Sequence, residues 1–516
     1  MSLVSSMNIA QQALSVSQAA ITTVSNNIAN VDTPGYSKLR VNQSTVVNYT
    51  PSLSNAQQVA ESASGVKIEQ VQRYADSYLQ NYYWQESSKS SYLDQYASVA
   101  TNVQDVVNEL NTGGLSDALE SFYSAVTELN NNPTDITSRE NYVNAASNLC
   151  TIFNSTSKSL SDIRTSYVGN STPDGSLESS EISSQLDTAN GLLDQIAQVN
   201  YDIIKTGSSS PALLDQRDSL ISKLSSLMPA SVTENKNGTV NISLGDTNLV
   251  AGSSVKGYLS ASATGDPAEP VKISIVDSEN PATVIAGNVN DIIDDGSMGA
   301  LLDICGSDDA NFTISGVLGS LDTMASEFAD IMNTIQTGDP NADGTVAMAL
   351  DSTGTSLVAT APTDVLFKIN NATDLTITAA NICVSQDIID HPYGIAVARV
   401  AAADVGTTNA IGNNSNMNLV LGTREKSYPG MGNTTIENYL GNVVSKVGSD
   451  VADINSSLKT QNLVLNEVST KLSSATGVNL DEELTDLIKY QRAYQAASRV
   501  FTICNDLMGE LVNLGK

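Results

Sequence analysis

Histidine, tryptophan and basic charge are scarce in this sequence, cysteines are never paired, and each scarcity closes off a class of function. A single histidine, His391, stands among 516 residues, so HExxH and every other two-histidine metal motif is impossible. A histidine-activated serine or cysteine would have to use that residue. No serine lies in GxSxG, and no cysteine has a recognisable activating neighbourhood. His391 sits in a His-Pro-Tyr context and reads as a turn or surface residue. The four cysteines, Cys150, Cys305, Cys383 and Cys504, have no CxxC or metal-ligand spacing, which leaves them as small buried hydrophobes. The only Gly-Lys pair is Gly515-Lys516, so no P-loop is present. The expectation is no enzyme, no catalytic residues, no cofactor and no metal.

Long apolar runs are missing as well, so no segment reads as membrane-spanning. The N-terminus lacks a basic n-region and an apolar h-region, and export, if it occurs, is expected to proceed without a cleaved signal peptide. With 25 Lys+Arg against 56 Asp+Glu, the formal charge is -31. Phosphate backbones and anionic membranes would repel such a chain, which excludes nucleic acid as an expected partner and membrane insertion as an expected mode. Charge is nearly absent from residues 1–60, where only Asp32, Lys38 and Arg40 carry any.

What is present is helical periodicity at both ends. Leu3, Met7, Ala10, Leu14, Ser17, Ile21, Val24, Ile28 and Val31 recur at alternating steps of four and three, the seam of a coiled coil. The helix is expected to stop at Thr33, because Pro34 biases its predecessor out of helix and Pro34-Gly35 suits a type II turn. Tyr36 to Gln43 then alternates as a half-buried extended segment does. At the other end, Leu487, Tyr490, Tyr494, Ala497, Phe501, Cys504, Met508 and Leu511 repeat the spacing after the acidic run Asp481-Glu482-Glu483, favourable at a helix start. Each seam lacks a local partner, so the two are expected to pair. A lone two-helix unit of this kind is marginal, and the ends are expected to be loose in the free protomer and ordered when copies pack side by side.

Between the ends, helical seams run through Tyr92 to Leu110 (ended by Gly113-Gly114), Leu115 to Leu129, Val143 to Phe153 and Ile182 to Ile196, with a further helix from Ala212 to Leu227 after Ser208-Ser209-Ser210-Pro211. Asn237-Gly238 joins two alternating runs as a hairpin. One helix is expected from Met298 to Ile335, and helices resume near Ile436. Asp339, Asn341, Asp343 and Gly344 match half an EF-hand loop, but Pro340 and Leu350 stand at discordant positions, so a polar turn is the reading. Tyr74, Tyr78, Tyr82, Tyr83, Tyr92 and Tyr96 cluster around Trp84, either as helix packing with wet hydroxyls or as lateral contact between copies.

The expected fold is mainly α with β insertions: paired terminal coiled-coil helices, an elongated helical bundle and two mostly-β outer domains. The divisions are 1–60 (N-terminal helix and extended linker), 61–230 (helical bundle), 231–296 (first β-rich insertion), 297–336 (returning helix), 337–406 (second β-rich insertion), 407–465 (return to the helical domain) and 466–516 (C-terminal helix).

"ANVDTPGYS" at Ala29 to Ser37 resembles the shared N-terminal signature of bacterial flagellar axial proteins, and "VNLDEELTDLIKYQRAYQAASRV" at Val478 to Val500 resembles their C-terminal one. More narrowly, "GLSDALESFYSAVTELNNNPTD" at Gly114 to Asp135, "LLDQRDSLISKLS" at Leu213 to Ser225 and "IGNNSNMNLVL" at Ile411 to Leu421 are similar to the FlgK family of hook-associated proteins. The likeness is weak in both β insertions. It implies a structural protein of the hook–filament junction, exported by the flagellar type III apparatus, forming a ring with itself and meeting the hook protein and a second junction protein. It also implies terminal helices innermost and a cytoplasmic export chaperone on the C-terminal helix, at Leu487, Tyr490, Tyr494 and Phe501. The implied assembly residues are Leu3, Met7, Leu14, Ile21, Val24, Ile28, Asn30, Thr33, Pro34, Gly35, Tyr36, Leu487, Tyr490, Tyr494, Phe501, Met508 and Leu511. The alternatives are a flagellar hook subunit or another rod or hook protein, for which strand should dominate the hook case, and an adhesin displayed on an axial frame.

Overall fold

The computed structural model describes residues 3–33, 35–48, 62–110, 114–170, 177, 179–206, 210–264, 266, 269–306, 311–338, 345–361, 364–370, 376–405 and 411–514. Pro34, Gly113, Ser208, Ser209, the EF-hand-like stretch 339–344 and the terminal Gly515-Lys516 lie outside these residues.

Helix α1 (Leu3–Ala29) stops four residues short of Thr33. The exit is turned by hydrogen bonds of Asn30 N–H to Asn26 O (3.1 Å), Thr33 N–H to Asn30 O (3.0 Å) and Tyr36 N–H to Thr33 O (3.1 Å). Gly35 supplies the left-handed step, at φ 78°. Strands β1 (Leu39–Asn48) and β2 (Ser62–Arg73) follow as an antiparallel pair with Val41 opposite Val71. This hairpin spans the division expected at residue 60.

Five helices come next: α2 (Ser77–Asn108), α3 (Leu115–Asn131), α4 (Ile136–Val168), α5 (Glu181–Lys205) and α6 (Pro211–Leu227). Their starts are sequence-encoded. The Asp76 carboxylate accepts from the Tyr78 and Leu79 N–H groups, Asp135 accepts from Ser138 N–H at 2.8 Å, and Pro211 occupies the first turn of α6. The seam residues Val99, Val103, Leu115, Phe122, Leu149, Ile182 and Leu193 are all buried in one core.

The first β region holds two antiparallel sheets. β3 (Ser231–Glu234), β4 (Val240–Leu244), β5 (Thr247–Ala251) and β6 (Ser254–Val255) lie in sequence order, and β7 (Gly257–Ala263), β8 (Val271–Asp277) and β9 (Val284–Ala286) form the second. The β3–β4 turn passes through Asn237-Gly238, with Gly238 at φ 80°. The helix expected from Met298 to Ile335 is two helices, α7 (Gly296–Cys305) and α8 (Ile314–Thr337). Gly306 follows the first, and Thr313 caps the second by accepting from Gly316 N–H at 3.0 Å, so the chain restarts instead of continuing.

The second β region contains β10 (Thr345–Leu350), β11 (Leu357–Ala359), β12 (Phe367–Ile369), β13 (Ile382–Val384), the short helix α9 (Gln386–Asp390) and β14 (Ala398–Ala401). Strand β10 is flanked by β11 and β14, while β12 pairs with β13. Helix α10 (Ser415–Gly422) leads to α11 (Ile436–Thr476), which packs along α2, and to α12 (Leu480–Leu514). The break between the last two falls at Gly477, not at the division expected at 466. The chain is 63% helical, against the strand content expected of a hook subunit.

The core does not divide where the texture of the sequence changes. Ile242, Leu249, Ile273 and Ile275 of the first β region belong to the same buried cluster as the bundle. Phe122, Phe328 and Phe367 carry it onward, with ring centroids 5.4 and 5.5 Å apart. His391 sits exposed after α9, its N–H donating to Asp387 O at 3.1 Å.

Arg139, fully buried at the start of α4, closes the same seam. Its guanidinium donates to Pro133 O (2.7 and 3.1 Å), Pro392 O (3.3 Å), Tyr393 O (3.2 Å) and Ile395 O (3.0 Å), all backbone carbonyls. Burial pulls its pKa down to about 10, still charged at neutral pH. Arg139→Ala strands those carbonyls in the core and should cost roughly 3–5 kcal/mol, read as a lowered denaturant midpoint; an unchanged midpoint would count against this role.

Asp295, just before α7, is raised to about 6 by burial first and by the Asp294 charge second, with Lys89 opposing. A carboxyl raised in the fold adds stability that is complete below its unfolded pKa, near 4, and is lost as pH rises through about 6. Asp295→Asn should therefore raise the Tm at pH 7.5 relative to the parent, with the gain vanishing by about pH 4. A gain independent of pH would show another cause.

Candidate assembly interface

The two chain ends meet as the seams require. Helices α1 and α12 pack along one another, and the hairpin covers a further side of α1. Ala10, Ser17 and Val24 of the expected seam are buried, and Leu3, Met7, Leu14, Ile21, Ile28 and Val31 are half-buried. The buried stripe also includes Val16, Ala20, Thr23 and Asn27, which no seam reading singled out. The cause is the hairpin: Gly65 of β2 lies against Ile9 and Gln12, and Ile9, Val16 and Thr23 share one line of α1 at steps of seven.

On α12, Cys504 is buried, and Leu487, Tyr490, Ala497, Phe501 and Met508 are half-buried. Tyr494 and Leu511 are exposed, at 38% and 55%. Each therefore keeps part of its surface uncovered in the single protomer.

Four residues outside that seam fasten the pair. The Asn27 amide uses every hydrogen-bonding position it has: Oδ1 accepts from the Tyr36 hydroxyl (2.9 Å) and Leu39 N–H (3.0 Å), and Nδ2 donates to Leu39 O (2.9 Å) and Glu483 Oε2 (2.9 Å). Glu483 is 1% exposed, and its other oxygen meets Lys38 Nζ at 3.0 Å. Lys38 also reaches Glu482 (3.0 Å), and its backbone N–H donates to Thr476 O (2.8 Å) at the end of α11. Burial works against the Lys38 charge, but the hydrogen bonds to Glu483 and Glu482 outweigh it and raise the pKa. The Tyr36 phenol is pushed up to about 12, by burial first and then by the Asp215 and Glu483 charges, so it remains a donor at all physiological pH.

A second polar layer ties this clamp to the bundle. Asp215 of α6 accepts from Ser37 and meets Arg73 Nε at 2.9 Å; burial outweighs these contacts and raises its pKa. Arg73 also pairs with Asp218, whose other oxygen takes Arg217 Nη2 at 3.0 Å. Arg217 then donates to Gly238 O at 2.6 Å, reaching the first β region. The motif residues Asn30 and Thr33 serve the helix stop itself: Asn30 Nδ2 donates to Asn26 O at 2.9 Å, and Thr33 Oγ1 lies 3.3 Å from Asn30 Oδ1.

The structure thus joins Tyr36 to the terminal pair and turns Gly35 at its exit, while Tyr494 and Leu511 stay partly uncovered. Sequence reasoning missed Asn27, Lys38, Arg73, Asp215, Asp218 and Glu483. The available signal was a polar residue at a buried helical step and an acid placed only in a helix-start role. Among the described residues no group of three or more His, Cys, Asp or Glu is placed to hold a metal ion, and no helix is long and apolar enough to cross a membrane.

Asn27→Ala removes the amide and leaves the buried Glu483 carboxylate with one partner fewer. Trypsin should then release the α12 segment sooner, while the unfolding free energy of the bundle stays within about 1 kcal/mol of the parent. Parallel loss of both would show that the clamp and the bundle are one unit.

Comparison with known proteins matches both ends and the helical body of the chain. The model of the flagellar hook-associated protein FlgK helical domain matches residues 100–350, that of the flagellar basal body rod FlgEFG protein C-terminal region residues 472–514, and that of the flagella basal body rod protein residues 7–36. Flagellar hook-associated protein 1 of Bacillus subtilis (strain 168) is 28% identical, covering 98% of this chain and 97% of that protein. Its counterpart in Salmonella typhimurium is 26% identical, covering 98% and 99%. The structure of the flagellar hook junction protein FlgK from Burkholderia pseudomallei shares the fold at a TM-score of 0.56 and 14% identity, covering 76% of this chain and 100% of that one. With a clamped pair of terminal helices and a helical body, the chain belongs to the flagellar hook-associated protein 1 (FlgK) family, structural and non-enzymatic axial proteins of the hook–filament junction.

Proposed function

We propose that copies of this chain pack side by side into a ring between hook and filament, with α1 and α12 innermost and the two β regions outward. Hook protein on one side and a second junction protein on the other are the proposed neighbours, within the flagellar assembly that the family implies. The observation that carries this reading is the surface of α12. Leu484, Ile488, Val500, Ile503, Leu507, Leu511 and Val512 are each more than 40% exposed although the helix is already paired with α1. A helix apolar on its covered and uncovered sides needs further partners, and sister molecules supply them in a ring.

The assembly residues follow from the same surface. Leu3, Met7, Leu14, Ile21, Val24, Ile28, Leu487, Tyr490, Phe501 and Met508 form the pair, Asn30, Thr33, Gly35 and Tyr36 set its exit beside Pro34, which lies outside the described residues, and Tyr494 and Leu511 offer exposed surface to neighbours. An export chaperone on Leu487, Tyr490, Tyr494 and Phe501 would compete with α1, because three of the four are half-covered in the folded protomer. The chaperone therefore acts before the ends pair. The chain leaves the cytoplasm through the flagellar type III apparatus. The divisions 1–60, 61–230, 231–296, 297–336, 337–406, 407–465 and 466–516 are proposed as segments of this assembly, with the first boundary moved past the β1–β2 hairpin and the last to Gly477.

In the free protomer much of the apolar surface of α12 is exposed, so limited proteolysis should remove about 40 to 60 residues from each terminus before cutting the bundle. Leu14→Asp or Tyr494→Asp should leave a soluble, folded middle yet abolish incorporation into flagella, since an unpaired charge at a buried interface costs several kcal/mol. Normal filaments built with either variant would refute the interface; a gold-labelled copy found along the filament, away from the junction, would refute the location.

A further inference from the structure

We propose that α12 carries a second apolar seam, Ala493, Ala496, Val500, Ile503 and Leu507, and that the uncharged outer stripe of α1 from the next copy lies along it. This rests on the side-by-side reading above and names the elements that meet.

The second seam has the spacing of a coiled coil, alternate steps of three and four. Each member stands one position before a residue of the first seam: Val500 before Phe501, Ile503 before Cys504, Leu507 before Met508. One position turns a helix by about 100°, so the two seams are adjacent faces of α12. The first is covered by α1, whereas Val500, Ile503 and Leu507 are 47%, 58% and 44% exposed, and both alanines are exposed.

The outer stripe of α1 has matching spacing. Val4, Asn8, Gln11, Ser15, Gln18 and Thr22 are all exposed, again at steps of four and three, and from Asn8 onward each stands one position after a residue of the seam that meets α12. Residues 1–31 contain no charged side chain. In a chain of formal charge -31, where copies repel one another, that makes α1 the helix another copy can approach. The Ser15 and Thr22 hydroxyls already donate to Gln11 O (3.1 Å) and Gln18 O (3.0 Å) of their own helix, so covering them strands no donor. Arg492, Arg499 and Asp506 edge the second seam with charges of both signs, and the amides of Asn8, Gln11 and Gln18 both donate and accept.

Handedness decides how the two stripes are placed. Glu483 near the start of α12 is held by Asn27 near the end of α1, and the helices then pack along one another, so they are antiparallel. On antiparallel helices, residues one position after the contact seam lie on one side of the pair and residues one position before it on the other. The stripe of α1 and the second seam of α12 therefore face opposite ways. Unlike surfaces facing opposite ways join head to tail, from copy to copy until a ring closes, and repeat between copies the α1–α12 contact already made within each. The Asn27–Glu483 contact also sets the level, because each residue gained along α12 is one lost along α1. At that level Leu507 meets Val4, Val500 meets Gln11 and Ala496 meets Ser15 of the neighbour.

The test uses isolated hook–filament structures from cells co-expressing a Ser15→Cys chain and an Ala496→Cys chain, two small substitutions, treated with a short bis-maleimide. A covalent dimer is expected only where both variants are present, and from neither variant alone nor from the parent with its native cysteines. Equal dimer from Ala496→Cys alone would mean that α12 meets α12, and from Ser15→Cys alone that α1 meets α1; either overturns the proposal. No dimer, with both chains detected at the junction by gold labelling, overturns it and leaves the junction reading standing. If either variant is excluded from the structures while the parent enters, the pair Gln11→Cys and Val500→Cys is read in the same way, and its exclusion or failure to cross-link overturns the proposal. Labelled parent chain found only away from the junction overturns the side-by-side reading as well.

Discussion

The Asn27 amide is the contact on which the terminal unit depends. It sits in a buried stripe of α1, and a buried amide with any position unfilled is costly. Its four partners come from three places: the turn after the helix stop, the first residue of β1, and Glu483 at the other end of the chain, 456 residues away. Satisfying it therefore fixes the exit of α1, the start of the hairpin and the angle of α12 together. The carboxylate it holds is itself buried, and Lys38 answers that charge.

From there the constraint passes into the body. Ser37, Arg73, Asp215, Asp218 and Arg217 form a connected polar path from the terminal pair to α6 and on to Gly238 in the first β region. Connected networks of this kind hold one arrangement because each member limits the others. Farther out, Arg139 does similar work for the second β region through carbonyls alone. The β regions are fastened to the helices by such contacts and by a shared core, so the body transmits load instead of carrying loose appendages.

Much of this was legible in the sequence. The bundle helices were readable because apolar steps of three and four persist over many turns and because Gly113-Gly114 and Ser208-Ser209-Ser210-Pro211 punctuate them. The pairing of the ends followed from two seams without local partners. The break between α7 and α8 was not legible, since the periodicity of Met298 to Ile335 continues across Gly306 and one glycine does not by itself end a helix. Asn27 and Glu483 were hidden for a different reason: a polar residue in a sequence defaults to solvent, and only the hairpin folded back on α1 turns that position inward. The same hairpin rotated the buried stripe of α1 away from the expected seam. Long-range placement, which no local pattern encodes, separates the residues that were found from those that were not.

The distance in sequence between Asn27 and Glu483 has a consequence for quality control. A polypeptide that stops between Val451 and Glu483 contains the whole bundle core, but it has no Glu483 to close the amide and no α12 to present to its neighbours. The contact that builds the joint is therefore open only to a chain translated past Glu483.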